Sequence, residues 1–227
     1  MICSNYDAFA LEEDGRIENQ VKNEYRELNL SNPPKFIWAN SSAQAREIID
    51  SETEIDMIIC MFNEQDKGIF PFASELKDKG CGIPFILLIH YSKAVRQRVL
   101  ESPHNGVDFV FSWHGNADLI LAIVKLLEDA ANAENDVFEV GVKGILLVED
   151  SIRYYSNYLP ELYKIVLTQS REFLTESLND DQKKYRKRSR PKIFLATCLE
   201  EALAYFEKYR RNLLGVISDV GMVVHKG

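Results

Sequence analysis

Gly144-Ile145-Leu146-Leu147-Val148-Glu149-Asp150-Ser151 decides how the rest of the chain is read. Five residues without a charge, β-branched and aliphatic, make a strand buried on both faces, as in a parallel sheet covered by helices. Two acids close it. The same design recurs at Leu213-Leu214-Gly215-Val216-Ile217-Ser218-Asp219, a second apolar run ending on an acid. Between them lie a helical stretch from Ile152 to Leu178 with a kink expected at Pro160, a basic segment, a strand at Lys192 to Ala196 and a helix at Leu199 to Tyr209. Strand alternating with helix implies right-handed crossovers and a doubly wound parallel sheet. In such sheets the carboxyl ends of the strands gather at one crevice.

That geometry would bring Glu149, Asp150 and Asp219 together. Three carboxylates at one place repel, and a hard divalent cation relieves the repulsion. Mg²⁺ suits the set because it accepts a few carboxylates, retains waters and bridges to phosphoryl oxygens. An aspartate beside such an ion can accept a phosphoryl group. A blander role is also open: an acid or hydroxyl at a strand end, here Asp150 or Ser151, can simply cap the next helix.

The arrangement resembles the response-regulator receiver family, of which CheY is the simplest member. Glu149 and Asp150 match its acid pair, Asp219 its phosphoacceptor, Met222 its Met and Gly227 its Gly, whereas Val223 stands where the family has Pro. The resemblance implies Mg²⁺ held by Glu149, Asp150 and Asp219 together with Gly221. It also implies a histidine kinase or phosphotransfer protein as phosphodonor. The family's hydroxyl residue on strand four and lysine on strand five would fall past Gly227. The second unit therefore reads as the first three strands of a receiver, incomplete, with one sheet edge unpaired unless the first unit covers it.

The first part of the chain repeats the pattern without the chemistry. Strands are expected at the very start, at Lys35 to Ala39, within Ile55 to Phe62, at Pro84 to His90 and at Val107 to Phe111. Helices are expected within Leu11 to Leu28, from Ser41-Ser42 to Asp50, and at Phe70 to Lys79, Ser92 to Leu100 and Ala117 to Ala131. Where the receiver family has acids, this repeat has Ser4-Asn5 and Met61. Ile89 replaces its Ser or Thr, and Ser112-Trp113 its Lys-Pro. A thioether cannot take a phosphoryl group. Asp7 and Asp66 lie nearby and read as solvated loop acids. The organisation expected is thus a pseudo-receiver at 1–131, a polar linker at 132–141 and a truncated receiver at 142–227, both units flavodoxin-like α/β sandwiches. The pair also looks similar to the amino-terminal region of bacterial proteins that continue into phosphoenolpyruvate synthase-like domains, which would make downstream domains of the same parent chain partners.

Composition is that of an ordinary soluble globular protein, with 46% hydrophobic and 27% charged residues. The net charge of −8 is uneven: residues 1–140 carry 12 Lys and Arg against 24 Asp and Glu, while residues 141–227 carry 15 against 11. Much of the excess lies in Lys183-Lys184-Tyr185-Arg186-Lys187-Arg188-Ser189-Arg190, which reads as a solvated helix face or loop rather than a nucleic-acid contact. Cys3, Cys60, Cys81 and Cys198 show no paired spacing and read as core thiols. His90, His104, His114 and His225 lack ligand spacing, and the Tyr154-Tyr155-Tyr158 cluster with Leu159 and Leu162 reads as a packing face. No signal peptide or membrane-length apolar run is seen, so a cytoplasmic protein is expected. A homodimer is left open. The absence of a nucleophile–base pair, P-loop or dinucleotide fingerprint argues against a flavodoxin-like enzyme. The competing function is a non-phosphorylated structural docking module.

Overall fold

The computed structural model describes residues 1–5, 17–27, 30, 32–51, 54–63, 65–90, 106–115, 117–175, 190–219 and 221. The expected helix at 92–100 lies outside them, as do Asp7, His104, His225, Met222, Val223 and Gly227. Two compact units emerge: Met1–Asn23 with Asn32–Ala117, and Glu24–Ser31 with Asp118–Gly227. The fold is mixed α/β, with two small parallel sheets of three strands each.

In the first unit the sheet runs in the order β1 (Ile58–Met61), β2 (Phe85–His90), β3 (Phe109–Trp113). All pairs are parallel, with Ile58 opposite Phe85 and Ile86 opposite Phe109. Ile2 bridges in parallel to Cys60 on one side and Ala39 on the other. The five apolar segments thus follow one another as Ala39, Ile2, β1, β2, β3. The strand expected at Lys35 to Ala39 shrinks to that single bridge. Met1 O accepts from Ala39 N, and Ala39 O from Cys3 N.

Burial follows the apolar runs. β1 is 0–5% exposed, and Phe85 to Ile89 of β2 are no more exposed than that. β3 sits two residues later than its apolar run suggests. Asp108 Oδ2 accepts from Phe85 N at 2.7 Å and Oδ1 from Lys77 Nζ at 2.8 Å. That clamp starts the ladder at Phe109 and draws Ser112 and Trp113 inside it, both buried.

Helices α1 (Ile17–Glu27), α2 (Ser42–Asp50) and α3 (Ile69–Asp78) accompany this sheet, α1 straddling the division between the units. Ser41 caps α2, its Oγ accepting from Gln44 N as its sequence position suggests. Pro71 falls in the first turn of α3, where its missing N–H costs no helical bond. Gly80, at φ +70°, ends that helix.

The long helix α4 (Ala117–Glu134), read from sequence as the last of the first repeat, groups with the second unit from Asp118 onward. The connection expected at 132–141 is helical as far as Glu139, the last five residues as a π turn. Beyond it, the second sheet has the order β5 (Lys192–Ala196), β4 (Gly144–Val148), β6 (Leu213–Ser218), all parallel. Helix α5 (Ile152–Thr175) runs unbroken through Pro160, and α6 (Leu199–Tyr209) connects β5 to β6. One face of the sheet, with Leu146, Val148, Phe194 and Ala196, packs against Ala133, Val137, Ala202 and Tyr209. Phe194 and Tyr209 stack there at 4.6 Å.

Two further expectations need correction. Arg190, grouped by sequence with a solvated basic run, is a buried cation: its side chain is 10% exposed and pairs with Asp129 of α4, which is 0% exposed. The rest of that run lies outside the described residues. The tyrosine cluster divides: Tyr155 and Leu159 are buried, while Tyr154 and Tyr158 are exposed and stack on each other at 6.0 Å. Helical geometry sorts them, since residues four apart share a face and adjacent ones do not.

Candidate functional site

β4 and β6 lie side by side with Val148 opposite Ser218, so the residues that follow them meet at one rim. Asp219 N donates to Val148 O at 3.1 Å, fixing the end of β6 against the end of β4. On the other side Glu149 N donates to Ala196 O at 3.0 Å, which holds Glu149 between β5 and β6. Glu149 is buried and Asp150 half-buried, while Asp219, following the exposed outer strand β6, is exposed. One carboxylate oxygen from each lies within 4.8 Å of the others. Among the described residues, no other group of three acids, histidines or cysteines has this geometry.

Electrostatics at this rim disfavour three bare carboxylates. Burial raises the pKa of Glu149 above its ordinary value, and the charges of Asp219 and Asp150 push the same way. The Ser151 amide opposes them by donating to Glu149 Oε1 at 3.1 Å. Ser151 itself gives its carbonyl to Tyr154 N and Tyr155 N at the start of α5.

The donor set fits a hard oxygen-seeking cation. Three carboxylate oxygens this close, one of them on an exposed side chain, suit an ion that takes a few carboxylates and keeps some of its waters. Gly221 belongs to the same place: a Cβ on it would stand 3.9 Å from Asp219 Oδ2. The backbone there therefore runs beside the Asp219 carboxylate.

Among the described residues, the corresponding rim of the first unit offers no such set. Met61 is buried, Ser4 is half-buried and Asn5 is exposed. Asp66 is committed to structure: Oδ2 accepts from Ser42 N at 2.8 Å, and Oδ1 accepts from Ser42 Oγ at 3.0 Å and Gly68 N at 2.9 Å. His90 and the neighbourhood of His114 do come together, since His90 lies opposite Trp113. Ser112 Oγ is 3.5 Å from His114 Nε2. The four cysteines are free thiols, with Cys3 and Cys60 buried and burial raising the pKa of Cys60.

Sequence reasoning missed the polar cluster around Asp129. Its carboxylate accepts from Tyr163 Oη at 2.9 Å, Ile193 N at 3.0 Å and both terminal nitrogens of Arg190, and Lys192 Nζ is 3.4 Å away. Lys192 also pairs with Asp136 at 2.6 Å. Burial, reinforced by the Asp129 charge, holds the Tyr163 hydroxyl well above its ordinary pKa, so it remains a donor. The cluster is enclosed and saturated, which makes it a structural lock.

No family model, curated protein or solved structure matches this chain. No helix among the described residues is long and apolar enough to cross a membrane.

Proposed function

We propose that the chain is a two-component phosphorelay module whose second unit accepts a phosphoryl group on Asp219. The observation carrying this reading is the convergence of Glu149, Asp150 and Asp219 at the ends of neighbouring parallel strands. The strand order β5-β4-β6 supports it, because it matches the opening of the flavodoxin-like order 2-1-3-4-5, whose β1/β3 switch point is a ligand site. The first unit, with Ala39, Ile2, β1, β2 and β3 in succession, follows the whole of that order. It carries Ser4, Asn5 and Met61 at the reactive positions, so it is a non-phosphorylatable pseudo-receiver.

In this reading Glu149, Asp150, Asp219 and the Gly221 backbone hold Mg²⁺. The ion supplies charge neutralisation for phosphoryl oxygens arriving at an acidic rim. The donor is a phosphohistidine of a histidine kinase or phosphotransfer protein. An Asp219 oxygen forms the new bond to phosphorus while the bond from phosphorus to the donor imidazole breaks, and that nitrogen takes up a proton. Glu149, buried and fixed by Ser151, orients the set, and the exposed Asp219 is the group a donor can reach.

A second reading, a docking module that is never phosphorylated, draws on the exposed Tyr154–Tyr158 stack and Ile165 on α5. Incubation of the chain with phosphoramidate and Mg²⁺, followed by intact-mass analysis, separates the two. Addition of one phosphoryl group that is lost in Asp219→Asn is expected. No labelling, or labelling that persists in Asp219→Asn, overturns Asp219 as acceptor, and the docking reading then stands.

A further inference from the structure

We draw no further inference here: the strongest candidate, the exposed face of α5 formed by the Tyr154–Tyr158 stack and Ile165, carries none because nothing in the structure shows what covers it.

Discussion

Arg190 donates from both terminal nitrogens to the carboxylate of Asp129, at 3.0 and 2.6 Å, in a place where Asp129 is wholly buried. The pair ties α4 to the residues just before β5, sixty-one positions later in the chain. Tyr163 from α5 and the Ile193 amide from β5 complete the acceptor's coordination. A helix that the sequence assigns to the first repeat is thereby fastened into the second unit.

Removing the acceptor should be costly. Asp129→Ala leaves the Arg190 charge, the Tyr163 hydroxyl and the Ile193 amide buried without it, a loss of about 3–5 kcal/mol for a broken buried pair. Urea denaturation followed by far-ultraviolet circular dichroism measures it. Breakage of an exposed pair such as Lys22–Glu18 by Lys22→Ala should cost under about 1 kcal/mol.

Glu149 sets a pH dependence. Because its folded pKa is raised, the folded state holds this proton more tightly than the unfolded one. Stability from this group is full below the ordinary carboxylate pKa and is lost as pH rises from there through the raised value. Mg²⁺ should therefore raise the melting temperature more at pH 8 than at pH 5. Glu149→Gln should raise stability at pH 8 without metal and diminish the Mg²⁺ response. Thermal melts at the two pH values, with and without Mg²⁺, check both signs.

Mg²⁺ should bind once per chain, at the second unit. Asp150→Asn should weaken binding in isothermal titration, whereas Asp66→Ala should leave it unchanged, since Asp66 holds Ser42 and Gly68. Asp66→Ala should instead lower stability by about 0.5–2 kcal/mol, the range for a lost helix cap.

Legibility from sequence tracked how local each determinant is. The apolar runs at Ile58–Met61, Phe85–His90, Gly144–Val148 and Lys192–Ala196 announce buried parallel strands, because burial on both faces removes all alternation. Acids ending two such runs were enough to nominate Glu149, Asp150 and Asp219 before any geometry was known. The position of β3 was not readable, since the Asp108 clamp on Phe85 depends on a contact twenty-three residues away. Arg190 is hidden for the same reason: in a run of basic residues nothing local distinguishes the one with a buried partner on a distant helix. Tyr154, Tyr155 and Tyr158 read together as a packing face, although helical phase sends Tyr154 and Tyr155 to opposite environments.

Gly106 should be the least replaceable glycine among those described. Its φ of +98° lies in the region that side chains disfavour. A Cβ there would also stand 2.2 Å from the carbonyl oxygen of Ala73 and 2.3 Å from its carbonyl carbon. Ala73 is fully buried inside α3, so relief requires moving helix backbone rather than a flexible side-chain tip. Gly106 immediately precedes the approach to β3, and any shift there disturbs the Asp108 clamp that registers β3 on β2. Positive φ alone costs roughly 1–2 kcal/mol, and the backbone collision adds to it, so Gly106→Ala should lose more than about 2 kcal/mol. Gly82→Ala, at an exposed position with nothing within 4 Å of the new Cβ, should change stability by no more than about 0.5 kcal/mol. Paired urea denaturation curves measure the contrast, and equal small losses in the two variants would show that the Gly106 turn does not press on α3.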